Sequence, residues 1–157
     1  MPIDIVINNA GIAGKGSKNL AELDVDAIMH TLDVNTLGAL RVIKALYPNV
    51  AAGKRKFFAN ISSMMGSNEL NTWGCCAGNP ASKAALNAIN TTLAVDFAKD
   101  GMTFVVLHPG YVHTDMNEGK GNIIPEQSAE GLLVVISALD ARDIGKYNDW
   151  QGKGLPW

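Results

Sequence analysis

The pattern of apolar positions alternates between short β-branched runs and longer stretches at helical spacing. Ile3–Asn8 (Ile-Asp-Ile-Val-Ile-Asn) reads as a buried strand that stops at Asn9-Ala10-Gly11. Gly11, Gly14, Lys15, Gly16 and Ser17 extend the loop that follows. From about Asp24 to Val50, the residues Ile28, Leu32, Asn35, Ala39, Val42, Ile43 and Leu46 recur with helical period, and Asp24 is placed as the N-cap. Phe57–Ser63 reads as a second strand and Pro80–Ala98 as the next helix, with Ala84, Ala88, Leu93, Ala94 and Phe97 available to pack. Thr103–His108 is a third strand, halted by Pro109-Gly110. Pro125–Leu139 is a further helix, and Tyr147–Trp150 a last short strand before a Gly-rich tail. Strands separated by helical crossovers of this length are expected to be parallel, which gives an α/β layered sheet. With no internal repeat and no linker, residues 1–157 are expected to form one domain.

Composition narrows the classes of function. Hydrophobic residues make up 47% and charged ones 18%, which suits one solid core and argues against disorder. The net charge of −2 asks for neither nucleic acid nor an anionic membrane. Lys54-Arg55-Lys56 is the one tight basic cluster and reads as a solvated loop. No run is long enough to span a bilayer and no secretory signal is visible, so a cytoplasmic location is expected. The adjacent Cys75 and Cys76 are poorly placed for an ordinary disulfide and read as inert thiols in a reducing compartment. His30, His108 and His113 show no ligand spacing with them, so no metal is expected.

The candidate chemistry sits at strand ends, where open parallel sheets bind ligands. Three polar segments fall there: Asn8-Asn9-Ala10-Gly11, Ile61-Ser62-Ser63 and His108-Pro109-Gly110. Each alone reads as an ordinary turn or strand terminator. Together, in order, they carry more weight.

They resemble the short-chain dehydrogenase/reductase family. Asn8-Asn9-Ala10-Gly11 is similar to its NNAG segment beside the cofactor adenine. Asn35, in Asp33-Val34-Asn35, matches the asparagine that holds a proton-relay water. Ser63 matches the substrate-polarising serine. Lys83, in Ala81-Ser82-Lys83-Ala84-Ala85-Leu86-Asn87, matches the lysine that lowers the tyrosine pKa and contacts the nicotinamide ribose. Pro109-Gly110-Tyr111-Val112-His113-Thr114 resembles the loop lining the nicotinamide. The resemblance implies a Rossmann-like doubly wound parallel sheet and NAD(P)(H)-dependent chemistry on a small carbonyl or alcohol substrate. The implied cofactor residues are Asn9, Ala10, Gly11, Lys83, Pro109, Gly110, Val112 and Thr114. The spacing of 16 residues from Ser63 to Asn79 is longer than the common family spacing. With Met65-Gly66-Ser67, Asn71-Thr72, Trp150-Gln151-Gly152 and Leu155-Pro156-Trp157, it resembles the C-factor and sniffer-like carbonyl reductase branch. C-factor is associated with cell-to-cell developmental signalling, so the resemblance also raises a non-catalytic signalling or binding role.

Two features depart from the family pattern. The chain starts at what resembles the family's fourth strand, so the first βαβαβ unit and its phosphate-binding turn are expected to be missing. Gly11-Ile12-Ala13-Gly14-Lys15-Gly16 does not have the order of the dinucleotide fingerprint. A truncated product whose front is encoded elsewhere would look the same. Ile3–Asn8 would then be an unpaired edge, expected to self-associate or to be completed by a partner. Family members also pair through the two long helices, here about Asp24–Val50 and Pro80–Ala98, which implies a homo-oligomer. Ala84, Ala85 and Ala88 would permit close approach of helices.

The second departure is chemical. Asn79 stands where the family has its general-acid tyrosine, one turn before Lys83. A carboxamide does not deliver a proton as a phenol does. Loss of a placed acid costs about 10²–10⁴ in rate, or about 3–5 kcal/mol of barrier. Weak or absent activity is therefore expected. None of Tyr47, Tyr111 and Tyr147 sits in this helix, and only Tyr111, in the nicotinamide-side loop, is a candidate substitute. Asn79 is expected to act structurally as N-cap, with Pro80 at the first helical position. Without its usual partners Lys83 is expected to seek water or a carbonyl. Asn35 is expected to mark a kink or to hold a bridging water.

Overall fold

The computed structural model describes residues 1–74 and 76–157, so Cys75 lies outside the described residues. Four parallel strands form one sheet in the order β1 (Ile5–Asn8), β2 (Phe57–Ile61), β3 (Thr103–His108) and β4 (Tyr147–Asp149). The two central strands are buried almost throughout, which fits their near-continuous apolar sequence. β1 is an edge, as the sequence predicts.

Register sorts the side chains onto two faces. Phe57, Ala59, Ile61, Val105 and Leu107 pack with Val135, Ile136 and Leu139, contributed by α4 (Pro125–Ala138) and the residue after it. Phe58 and Phe104 pack on the other side with residues of α2 (Ala39–Ala51) and α3 (Gly78–Asp96), among them Ile43, Val50 and Ala94. Helices on both faces make the sheet doubly wound. All three crossovers step the same way across the sheet, yet α4 lies opposite α2 and α3. The β3–α4–β4 connection therefore has the opposite hand to the other two, so one of the two kinds departs from the right-handed default.

The helix expected over about Asp24–Val50 is present, with an interruption. Asp24 caps it, its carboxylate accepting the Ala27 N–H at 2.9 Å. α1 (Val25–Leu32) then widens into a π-helical segment, Asp33–Gly38, before α2 resumes. π-bulges of this kind recur at functional sites, and this one contains Asn35. Arg55 corrects the solvated-loop reading of the basic cluster. Its guanidinium donates to the carbonyls of Ile136 (2.7 Å) and Leu139 (2.9 Å) at the C-terminal end of α4. It also lies 5.4 Å from the Phe57 ring centroid. Among the described residues no helix is long and apolar enough to cross a membrane.

Candidate active site

Lys83 projects from the sheet-facing side of α3. It is 8% exposed, and its ammonium donates to the Ile61 carbonyl at 2.8 Å, at the end of β2. A carbonyl partner is what the sequence led us to expect. Burial alone pulls its pKa down to about 8. Gly11 comes close from the loop after β1: a Cβ there would lie 3.6 Å from Lys83 Nζ and 3.2 Å from Asn35 Oδ1. The absence of a side chain leaves the approach to the ammonium open.

Asn35 is 1% exposed, and its amide is satisfied without a bridging water. Its Oδ1 accepts the Ile12 N–H at 2.8 Å, while its Nδ2 donates to the Ile12 carbonyl and the Ser82 hydroxyl, each at 2.9 Å. The π-bulge thus ties the loop after β1 to the first turns of α3. Gly14 is pressed against the same helix pair: its φ is +73°, and a Cβ would meet Thr31 Oγ1 at 2.6 Å.

Ser63 follows β2 and caps a 3₁₀ turn, Met64–Gly66, its hydroxyl oxygen accepting the Met65 N–H at 3.2 Å. Gly66 lets this turn lie on α3, since a Cβ would stand 2.9 Å from Lys83 Cβ. Asn79 overturns the N-cap expectation. α3 begins at Gly78, preceded by a residue already in helical conformation, so the carboxamide has no free helix terminus to cap. Its Nδ2 points instead to Met65 Sδ at 3.6 Å, and its buried Oδ1 has no partner among the described residues. Asn79 still stands one turn before Lys83.

The third strand end is preformed. The Pro109 carbonyl accepts the Ser128 hydroxyl at 2.6 Å. Gly110 has φ +87°, with Ile123 and Trp150 where a side chain would go. Val112 bridges to Ile123, and its carbonyl accepts Asn117 Nδ2 at 2.7 Å. The Thr114 N–H donates to Asn117 Oδ1 at 3.2 Å. Asn9 and Ala10 stand exposed at the end of β1. All three segments lie at the carboxyl ends of adjacent strands, in register through Asn8–Asn60 and Ile61–Leu107.

Sequence reasoning missed the support beneath this cluster. Asn8 donates to Asn60 at 2.7 Å, Asn60 to Asn90 at 2.8 Å, and Asn90 to the Phe104 carbonyl at 3.4 Å. Beside this ladder, Ser62 donates to Asn87 at 2.6 Å. The signal was available: Lys83, Asn87 and Asn90 share one helical face, which amphipathic spacing would make apolar. Tyr147 was also passed over. Its hydroxyl donates to the Ser63 carbonyl at 2.5 Å, and burial raises its pKa to about 12 against an opposing hydrogen bond with Asn87. That hydroxyl is therefore committed to a main-chain carbonyl. Tyr111 is half exposed in its loop.

The model of the short chain dehydrogenase family matches residues 1–123. The chain belongs to that family. Among its relatives, C-signal of Myxococcus xanthus is 36% identical, over 99% of this chain and 93% of that protein. The carbonyl reductase Sniffer of D. melanogaster superposes with a TM-score of 0.93 at 28% identity, over 99% of this chain and 67% of the other. The NADPH-bound carbonyl reductase from chicken fatty liver superposes at 0.89 with 29% identity, over 99% of this chain and 66% of that one. This short-chain dehydrogenase thus spans about two thirds of the length of those two reductases.

Its residues fit the nicotinamide-ribose end of the family's cofactor. Lys83 has two N–H donors beyond the one given to Ile61, and Gly11 leaves room beside them. Among the described residues, the pyrophosphate end is not matched by a Gly-rich turn opening onto a helix. The loop after β1 leads instead to α1, whose N-terminus is already held by the Asp24 carboxylate.

Proposed function

We propose that this chain is a short-chain dehydrogenase/reductase of the carbonyl-reducing kind, with NAD(P)(H)-linked chemistry impaired at the acid step. The observation that carries the reading is Asn79. Lys83 bonds the end of β2, Ser63 follows that strand and Asn35 ties the loop after β1 to α3, while the position one turn before Lys83 presents a carboxamide without an ionisable proton. When bound, the nicotinamide would supply hydride. Lys83 would hold its ribose, Asn35 would keep the loop after β1 in place, and the Ser63 hydroxyl, whose proton has no acceptor among the described residues, would donate to the substrate oxygen.

Titration of NADH and NADPH by calorimetry tests the binding half. Saturable binding weakened in Lys83→Ala is expected, and no binding at millimolar cofactor would defeat the reading. Asn79→Tyr tests the chemical half: carbonyl reduction should rise by about 10²–10⁴ over the native chain. The similarity to C-signal along nearly the whole chain favours a second reading, a signalling or binding role that keeps the fold without the chemistry. That role would survive Ser63→Ala and Lys83→Ala unchanged.

A further inference from the structure

Three separated parts of the chain converge on the residues after β2. From α3, Asn87 Oδ1 accepts the Ser62 hydroxyl at 2.6 Å, and Asn87 Nδ2 donates to the Gly66 carbonyl at 3.3 Å. From β4, the Tyr147 hydroxyl donates to the Ser63 carbonyl at 2.5 Å and is itself hydrogen-bonded to Asn87. From the segment after β4, the Trp157 main-chain oxygen accepts the Ser67 hydroxyl and the Glu69 N–H, each at 3.2 Å. Ser62, Ser67, Asn87 and Tyr147 are each 3% exposed or less, so water competes little for these bonds.

The segment that delivers Trp157 is stiff. The Asp149 N–H donates to the Lys153 carbonyl, and the Asp149 carboxylate accepts the N–H groups of Gln151 and Lys153, all at 2.9 Å. Gly154 then bridges to Asn148, and the Leu155 N–H donates to the Tyr147 carbonyl at 2.8 Å. Pro156 fixes its own φ and restricts Leu155 before it. The Trp157 ring comes to rest beside that of Tyr147, with centroids 5.2 Å apart. Residues 147–157 therefore grip the turn after β2 from one side, at Ser63 and again at Ser67 and Glu69.

We propose that Tyr147 and Trp157 are positioning residues for Ser63, fixing the peptide that follows it so that the serine hydroxyl meets a substrate oxygen at a set angle. The inference rests on the reductase reading and adds to it two residues that act through Ser63. The Ser63 carbonyl accepts both the Tyr147 hydroxyl and the Gly66 N–H, the latter at 2.8 Å, so both of its lone pairs are in use. Rotating that peptide breaks both bonds at once. The Ser67 N–H donates to the Met64 carbonyl at 3.1 Å, so the grip of Trp157 on Ser67 holds the far end of the same turn. Between these two anchors lies the Met65 N–H that the Ser63 hydroxyl oxygen accepts. A reacting group misplaced by about 1 Å can cost about 100-fold in rate, so loosening either anchor acts on turnover ahead of binding.

The test is a double-mutant cycle on rate, paired with amide exchange. NADPH-dependent reduction of benzaldehyde is followed in the native chain, Tyr147→Phe, Ser63→Ala and the double variant. Tyr147→Phe keeps the ring and should lose about tenfold or more in kcat, with KM and NADPH affinity within about twofold of native. In Ser63→Ala the same substitution should cost less than about twofold, because the hydroxyl it acts through is gone. Ser67→Ala releases the turn from Trp157 and should lower kcat by about threefold or more, again only while Ser63 is present. Without cofactor, the Met65 and Gly66 amides should exchange about tenfold faster in Tyr147→Phe, while those of β2 and β3 keep their protection. Equal losses with and without Ser63, native kcat in Tyr147→Phe or Ser67→Ala, or unmoved exchange at Met65 and Gly66 overturns the proposal. If no variant turns over, the exchange result alone decides whether the turn is held in this way, and NADPH titration decides the reductase reading separately.

Discussion

At the scale of single residues, buried groups at the strand ends are held in their neutral or singly partnered states. His108 is the clearest after Lys83. Its Nδ1 is buried without a partner among the described residues, and burial pulls its pKa from 6.5 to about 4, against an opposing pull from Asp149. Between those two values the unfolded chain binds more protons than the folded one, so stability falls as pH drops through that window. The loss should amount to about 2 kcal/mol. Urea unfolding from pH 7 to pH 4 should show this acid limb, flattened in His108→Gln. An unchanged limb in that variant would place the acid sensitivity elsewhere.

At the scale of elements, the site is held by tertiary ties between segments far apart in sequence. β4 reaches the loop after β2 through Tyr147, whose hydroxyl bonds the Ser63 carbonyl and whose ring lies 5.2 Å from that of Trp157. Trp157 in turn accepts the Glu69 N–H and the Ser67 hydroxyl, each at 3.2 Å. Tyr147→Phe keeps the ring contact and removes the bond to Ser63. We expect it to cost about 1 kcal/mol in urea unfolding near neutral pH. It should also remove the fall in stability from pH 10 to about pH 12 that a buried phenol imposes, because there the folded state holds the extra proton. Such ties explain what the sequence reveals and what it hides. Strands and helices were legible from local period, to within a few residues, because β2, β3 and α4 bury what their own patterns say they should. Ser63, Lys83 and Asn35 were singled out by their resemblance to family motifs, which local period alone does not supply. The kink expected at Asn35 takes the form of a π-segment, a form set by Asn35 meeting Ile12 and Ser82 and so not readable from local period. Asn79 was misread because the Asn-Pro pair looks like a helix opening, whereas the helical backbone already begins at Gly78. Tyr147 was hidden because its partner is a main-chain carbonyl 84 residues away.

At the scale of the whole molecule, the sheet ends on β1, and what meets that edge decides the state of association. Ile5 is half-buried against the α4 side, while Ile7, on the same face, is 44% exposed. Ile-Val-Ile-Asn carries no lysine, proline or bulge of the kind that guards natural edges, so its unpaired N–H and C=O groups offer a template for another strand. Pairing between two copies about a two-fold axis would run the strands antiparallel and bring the Ile7 side chains onto one continuous face. Concentration-dependent dimerisation in sedimentation experiments is the expected outcome. Ile7→Lys should weaken it at least tenfold without altering the monomer's circular dichroism, because the lysine replaces a side chain already half in solvent. Dimerisation that persists in Ile7→Lys but fails in Met29→Lys would move the contact to the outer face of α1. Met29 is 60% exposed there. A chain that stays monomeric at high concentration would show that four strands with helices on both faces need no partner at this edge.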